Sequence, residues 1–151
     1  MLKKRVFAGY INLKPINGVI FPSYAQNQIN KNYITEKLNG EFFLSTNENT
    51  YGTNNIVIRS LLEEKRISGI CLLSAFHLPE KFIDRSKLYK LATKNKKEIH
   101  FVFEELKIIK IKDINKIEDQ LIFKQQFFTK KVDKLDKFQK NHFLNKEWEF
   151  V

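Results

Sequence analysis

Residues 69–74, GICLLS, begin with an uninterrupted apolar run as long as one β-strand. Such a run is typical of a strand covered by other elements on both faces of its sheet. Other strand-length segments lie on both sides of it, separated by segments with helical spacing of apolar residues. The strand-like segments are 5–13, 41–45, 69–74 and 98–104, and the helical ones are 23–38, 53–66 and 80–94. This alternation predicts right-handed βαβ units in a three-layer α/β fold, with a mainly parallel sheet of four strands, or five with an edge strand at 107–111.

The length of the chain fits one well-packed domain, since it has 151 residues of which 42% are hydrophobic. We predict an α/β domain over residues 1–118 and a helical, aromatic-rich C-terminal extension over 119–151. The extension supplies more aromatic surface than one helix on a small sheet needs, so it is expected to pack on the domain or on a partner. Its aromatic residues include Phe123, Phe127, Phe138, Phe143, Trp148 and Phe150.

The formal net charge of +10 raises the question of nucleic-acid binding. The excess of lysine is spread along the chain rather than gathered in one basic arm. Only four of the 27 basic residues are arginine, the side chain best suited to bidentate recognition of phosphate and guanine. Nucleic acid is therefore an unlikely partner on this evidence.

The sequence indicates a cytoplasmic protein without a metal ion or a cofactor. The start, MLKKRVFAGYINL, has no apolar core of signal-peptide length, and no run is long enough to span a membrane. Cys71 is the only cysteine and is expected to behave as a small buried hydrophobe. His77, His100 and His142 lie far apart in sequence, and there is no Gly-rich phosphate loop.

Five stretches within residues 8–118 carry a family resemblance. They read AGYINLKPINGVIFPSYAQNQINKNY, FFLSTNEN, ISGICLLSAFHLP, DRSKLYKL and IHFVFEELKI. Together they resemble the sporadic carbohydrate cluster proteins, a bacterial family named for genes in surface-polysaccharide clusters. The resemblance implies a role in the biosynthesis or modification of a surface carbohydrate, without naming a reaction.

The order of elements also resembles, more distantly, the catalytic domain of serine recombinases, or resolvases. This implies a resolvase-like or flavodoxin-like fold. In that family a serine follows the first strand, and arginines near it and after the third strand activate the DNA phosphate. Matching GYINLKP places Lys14 at the serine position and Asn12 at an arginine position, and leaves Arg85 as the one arginine counterpart. A lysine cannot replace the serine nucleophile, so the resemblance implies the fold without the DNA cleavage.

Ligands of open parallel sheets bind beyond the carboxyl ends of the strands, where the strand order reverses. That rule selects the loops 12–23, 45–53 and 74–80 as the rim of a cleft. Their amides, hydroxyls and few charges suit hydrogen bonding to a polyhydroxylated or acidic sugar. The predicted ligand-binding residues are Asn12, Lys14, Asn17, Gln26, Asn27, Ser45, Glu48, Ser74 and His77.

Some of these residues also have simpler structural interpretations. Gln26 and Asn27 lie near a helix amino end, which favours an anion. Glu48 and His77 are the candidates for acid–base catalysis, although His77 is more simply an exposed turn residue. Whether the protein is an enzyme stays open. The residues expected to cap helices or to bond to their own turns are Ser23, Thr53, Ser45 and Ser74.

Three functions follow from these patterns. The first is binding of a sugar or sugar-nucleotide intermediate in the cleft at the ends of strands 1–3. The alternative is a non-catalytic accessory protein that docks onto a carbohydrate-pathway enzyme, or forms a homo-oligomer, through the aromatic extension. The third and least favoured is a DNA-binding recombinase-like domain that lacks catalysis.

Overall fold

One sheet of five strands organises the chain, in a computed structural model that describes residues 3–48 and 55–123. The strand order is β2-β1-β3-β4-β5, with β1 to β4 mutually parallel and β5 antiparallel to β4. The strands are β1 Val6–Ile11, β2 Glu41–Asn47, β3 Gly69–Leu72, β4 Glu98–Phe101 and β5 Leu106–Ile108. The predicted three-layer α/β fold with a mainly parallel sheet is confirmed.

Helices connect the parallel strands. They are α1 Ser23–Asn32, which continues as a π-helix over Tyr33–Lys37, then α2 Ile56–Glu63 and α3 Phe82–Lys94. A 3₁₀ turn over Ala75–His77 follows β3, and residues 111–123 are helical. Within residues 3–48 and 55–123, no helix is both long and apolar enough to cross a lipid bilayer.

The two faces of the sheet are covered by different helices. Right-handed crossovers place α1 on one face and α2 with α3 on the other, because β1 leads to β2 in one direction while β2 leads to β3, and β3 to β4, in the opposite direction. On the α1 face, Phe7, Ile34 and Cys71 form a fully buried cluster. The expected burial of Cys71 is confirmed, and burial raises the pKa of its thiol.

Two local expectations are wrong, and a third is not tested. Helix α1 begins at Ser23 itself with Pro22 at the N-cap position, so Ser23 is not the capping residue. The helical spacing of apolar residues in 80–94 predicts that Phe82 and Ile83 point inward with Leu88 and Leu91. Phe82 and Ile83 are instead 61% and 63% exposed, because the buried stripe of α3 runs through Leu88, Tyr89 and Ala92. The predicted cap Thr53 lies outside the described residues.

The C-terminal extension lies largely beyond the described part of the chain. A first compact unit ends at Ile117, and a second begins at Glu118. Of the second unit, residues 118–123 are described, and they are helical. The predicted boundary at 118 and the role of the aromatic residues beyond 123 therefore stay predictions.

Candidate functional site at the carboxyl ends of β1 and β3

The strand order reverses between β1 and β3. The chain leaves β1 toward β2 on one side and leaves β3 toward β4 on the other, so the loops 12–22 and 73–81 start from neighbouring strands and diverge. Ligands of open parallel sheets bind where the strand order reverses in this way, and we call the space between the two loops the crevice. The cleft predicted from the sequence, which the loop 45–53 would also border, is expected at this crevice and stays a prediction.

Lys14 bridges the two loops. Its Nζ donates a hydrogen bond to the carbonyl oxygen of Leu78 at 3.0 Å and lies 3.9 Å from a carboxylate oxygen of Glu80. The Lys14 side chain is 29% exposed, and partial burial is the main reason that its pKa is lowered. Glu80 opposes that shift, and Arg85 adds to it. The crevice thus holds a partly desolvated ammonium group at its centre.

His77 ties the same two loops from below. It is 1% exposed, and its Nε2 lies 3.0 Å from the carbonyl oxygen of Lys14. A carbonyl oxygen only accepts, so Nε2 must carry the proton. Burial lowers the pKa of His77 to about 4, with Lys14 contributing in both directions, so the ring is neutral at physiological pH. The expectation of an exposed turn residue is wrong, because the turn folds inward against the β1 loop.

Gln26 anchors the start of the β1 loop. It is fully buried, its Oε1 accepts from the amide nitrogen of Asn12, and its Nε2 donates to the carbonyl oxygens of Asn12 and Phe21 at 2.8 and 2.7 Å. The Asn12 Oδ1 in turn accepts from the amide nitrogen of Lys14 at 2.9 Å. These contacts set the loop geometry that brings Lys14 into the crevice.

The two remaining amides of the predicted set lie nearer the surface. Asn17 is exposed at the tip of a two-residue turn closed by paired hydrogen bonds between Ile16 and Val19. Asn17 and Gly18 have φ angles of 53° and 81°, as a type I′ turn requires. Asn27 is half-buried in the first turns of α1.

Glu48 joins three elements. Its carboxylate accepts from the Tyr10 hydroxyl at 2.9 Å and from the backbone amides of Val57 and Ile58 in the first turn of α2. The N-cap residue of α2, Asn55, makes no capping bond with its own side chain. Glu48 thus supplies the cap from the end of β2. Burial first and Glu48 second raise the pKa of Tyr10.

Ser74 belongs to a second group of hydrogen bonds, which is centred on the carboxylate of Glu104. Its Oγ donates to Glu104 at 2.6 Å and accepts from the amide nitrogen of Phe76 at 3.2 Å. Glu104 also accepts from the amide nitrogen of Ala75. Ser74 therefore bonds to its own turn, as expected, and Glu104 fixes that turn from the end of β4.

Ser45 lies inside β2, so the expectation that it bonds to a turn of its own is wrong. Its Oγ is buried, and no residue within 3–48 or 55–123 hydrogen-bonds to it. It faces Gly9, where a side-chain Cβ would come within 2.5 Å of the Ser45 Oγ. Glycine at position 9 leaves room for this approach, whereas a larger residue would force the Ser45 side chain to move.

Sequence reasoning, which offers Tyr10 as a stacking face for a ligand, did not find its hydrogen bond to Glu48 or the helix-capping role of Glu48. The two side chains are 38 positions apart, and no spacing rule joins residues across a parallel strand pair at that distance. Among the described residues, no group of three or more His, Cys, Asp or Glu side chains could hold a metal ion.

A solved structure shares this arrangement of strands and helices. The crystal structure of the N-terminal catalytic domain of TP901-1 integrase superposes with a TM-score of 0.56, covering 85% of this chain and 98% of that chain at 12% sequence identity. The fold is resolvase-like. At this identity the likeness shows the fold alone. No protein-family model matches the sequence, and no curated protein matches it.

Proposed function

We propose that this resolvase-like chain is a cytoplasmic protein of surface-carbohydrate biosynthesis or modification that binds a sugar or sugar-nucleotide intermediate between the loops after β1 and β3. The observation that carries the proposal is the Lys14 ammonium, held 3.0 Å from the Leu78 carbonyl where the strand order reverses. The sequence resemblance to sporadic carbohydrate cluster proteins supplies the ligand class.

The chemistry of the crevice suits an acidic or phosphorylated sugar. Lys14 has three N–H donors, and its bond to Leu78 leaves donors for an anionic oxygen. The ammonium is only partly solvated, so an incoming diphosphate or carboxylate meets less competition from water than at an open surface. Tyr24, which is 79% exposed at the start of α1, offers a ring face for a sugar or base.

Binding, rather than turnover, is the proposed activity. Both candidates for acid–base catalysis have structural partners: Glu48 caps α2 and accepts from Tyr10, and neutral His77 holds the loop of Lys14. If turnover is found, these two residues remain the candidates to test first. No metal ion or cofactor is part of the proposal.

DNA binding without cleavage is the competing function, because the fold is shared with an integrase catalytic domain. Two features weigh against strand exchange. The loop 12–22 contains no serine, threonine or cysteine to attack a phosphodiester, and Lys14 occupies the position matched to the family's serine. A DNA-binding function would also predict affinity that falls steeply with salt.

Isothermal titration of the full chain with UDP-glucose, UDP-glucuronic acid and a short DNA duplex tests the proposal, at about 50 mM and about 200 mM NaCl. We expect binding of one sugar nucleotide that persists at the higher salt concentration. In Lys14→Gln, whose amide can still donate to Leu78, affinity should fall about tenfold or more because the charge is lost.

The matched control is Lys94→Gln, which removes one charge from the last turn of α3, where the helix leads to the amino end of β4 and away from the crevice at the carboxyl ends. This variant should bind as the unmodified protein does. Binding of DNA alone, or a sugar-nucleotide affinity that is equal in the two variants, would overturn the proposal.

A further inference from the structure

A second cleft lies beside β4 and β5, on the face of the sheet that α1 covers. Its volume is about 380 Å³, within the usual range for small-ligand sites. Residues from the π-helix, from β4 and β5 and from the helical segment that starts at 111 line it. They include Tyr33, Lys37, His100, Glu105, Lys107 and Lys116. None of them belongs to the crevice between β1 and β3.

His100 is held in a defined orientation at this cleft. Its Nε2 lies 2.9 Å from Glu98 Oε1, and the other oxygen of Glu98 pairs with Arg5. The rings of Phe7 and Tyr33 pack against the imidazole, with centroids at 5.5 and 6.1 Å. Carboxylate and rings together fix the side chain, as second-shell partners fix a working histidine.

This orientation determines which nitrogen of His100 can accept. The hydrogen bond from His100 is the largest reason that the pKa of Glu98 is lowered, so Glu98 is ionised at neutral pH and only accepts. Nε2 therefore carries a proton, and in the Nε2-protonated tautomer Nδ1 carries a lone pair. Nδ1 is buried, and it has no hydrogen-bond partner within residues 3–48 and 55–123. Burying an acceptor without a hydrogen bond costs free energy, and a hydrogen-bond donor on a ligand can remove that cost.

The π-helix places two further groups at the cleft. Its wider turn, closed by the bond from the Leu38 amide to the Tyr33 carbonyl at 3.1 Å, brings Tyr33 and Lys37 to the cleft wall. π-Helical turns are rare and occur frequently at functional sites. Here the irregular turn and the unsatisfied histidine meet in one place.

The charges around the cleft are mixed. Lys37, Lys107 and Lys116 form no ion pair within the described part of the chain, and Glu105 lies among them. Asp113 also lines the cleft, and one of its oxygens accepts from the amides of Ile109 and Lys110. Lysines attract a phosphate, whereas carboxylates repel it and accept from hydroxyl groups. A ligand that carries both kinds of group satisfies both.

We propose that this cleft binds a small phosphate monoester that also carries hydroxyl groups, with the phosphate at Lys37, Lys107 and Lys116 and a hydroxyl donating to His100 Nδ1. The cleft volume of about 380 Å³ lies near the lower end of the range for small-ligand sites, which favours a monosaccharide phosphate over a larger sugar nucleotide. The site is independent of Lys14, so it stands whether or not the crevice between β1 and β3 binds a sugar nucleotide.

Titration calorimetry with glucose 1-phosphate, glucose and inorganic phosphate tests the assignment on the full chain. We expect glucose 1-phosphate to bind more tightly than either fragment. The double variant Lys37→Gln/Lys107→Gln should weaken its binding by about tenfold or more, because two of the three cations are lost. Both lysines are exposed, so the variant should keep the thermal stability of the unmodified protein.

Two control proteins distinguish binding at this cleft from non-specific attraction and from binding at the first crevice. Lys87→Gln/Lys90→Gln removes the same charge from exposed positions of α3, across the sheet, and should leave the affinity unchanged. Lys14→Gln should also leave it unchanged, since it alters only the first crevice. An equal loss in all three proteins would show non-specific attraction and overturn the proposal. Binding of inorganic phosphate as tightly as the ester would overturn the hydroxyl contact.

The imidazole resonances of His100 give a readout that does not depend on charge. Long-range ¹H–¹⁵N spectra should show the Nε2-protonated tautomer in the free protein, and the Nδ1 resonance should shift when glucose 1-phosphate is added. The His100→Gln variant serves to assign the signals. An Nδ1-protonated ring, or an Nδ1 resonance that is unchanged at saturation, would contradict the contact with the hydroxyl.

Discussion

Polar side chains have different roles in two regions, the crevice between β1 and β3 and the cleft beside β4 and β5. At the crevice and at the neighbouring end of β2, the side chains of Gln26, Ser74 and Glu48 hydrogen-bond to backbone amides or carbonyls of the chain itself. In the cleft, Lys37 and Lys107 have no ion-pair partner among the residues that the structure describes. Within the same residues, the buried Nδ1 of His100 has no hydrogen-bond partner, and this also holds for Nδ1 of His77 in the crevice. In the first region most polar side chains hold the loops in place, whereas in the second several polar side chains have no such structural role.

The difference has a physical cause. The loops 12–22 and 73–81 fold inward and bury backbone groups that no sheet or helix satisfies, so side chains must do so. The cleft is instead bordered mainly by helices and strands whose backbone bonds are internal. Asp113 still bonds to the amides of Ile109 and Lys110, but Lys37 and Lys107 make no such bond in the described part of the chain. Polar residues in an irregular loop are therefore weak evidence for ligand binding, and unsatisfied groups next to regular structure are stronger evidence.

The substitution Gln26→Leu gives the strongest test of this difference between the two regions. The change removes three hydrogen bonds and leaves the amide of Asn12 and the carbonyls of Asn12 and Phe21 without their partner. Because unsatisfied buried groups cost about 1–3 kcal/mol each, we expect the free energy of unfolding to fall by about 4 kcal/mol. Urea denaturation at neutral pH measures the change.

The control for Gln26 lies in the same helix. Gln28 is exposed and its side chain donates to Asn32, one turn further along α1, so Gln28→Leu should change stability by less than about 0.5 kcal/mol. If Gln26→Leu cost as little as the control, Gln26 would not hold the loop. Gln26 would then again be a candidate ligand-binding residue.

Titration of His77 is the second test, with a somewhat smaller effect. The folded-state pKa of about 4 lies below the ordinary value of 6.5, so the unfolded chain binds more protons between these two values. Stability should therefore fall as the pH is lowered from 6.5 to 4, by up to about 3 kcal/mol from this residue. Above pH 6.5 the residue should contribute no pH dependence.

His77→Gln isolates that contribution from the carboxylates that titrate in the same range. The glutamine amide can still donate to the Lys14 carbonyl but does not titrate. The difference in unfolding free energy between the two proteins should thus narrow as the pH falls from 6.5 to 4. A constant difference across that range would mean that His77 titrates normally and is not buried against the β1 loop.

Pattern and periodicity were sufficient for the strands and for the burial of Cys71, because both depend on local sequence. The rule that ligands bind beyond the carboxyl ends of parallel strands also predicted that Lys14 and His77 lie close together. Pattern and periodicity failed for the bond between Tyr10 and Glu48, which joins distant positions, and for the π-helix, which has no propensity signal. The contact between Glu98 and His100 could have been predicted from the sequence, because alternate residues of a strand share one face.

Ser45, like Nδ1 of His77, is an exception within the first region, and it gives the smallest expected effect. Its buried Oγ has no partner within the described residues, in contrast to the Ser74 Oγ. Ser45→Ala removes an unsatisfied hydroxyl next to Gly9, so the free energy of unfolding should stay within about 1 kcal/mol, unchanged or slightly higher. Urea denaturation beside Ser74→Ala, which loses its bonds to Glu104 and Phe76, supplies the contrast. If Ser45→Ala were as costly as Ser74→Ala, then Ser45 would have a bonded partner in solution, and this hydroxyl too would serve the fold.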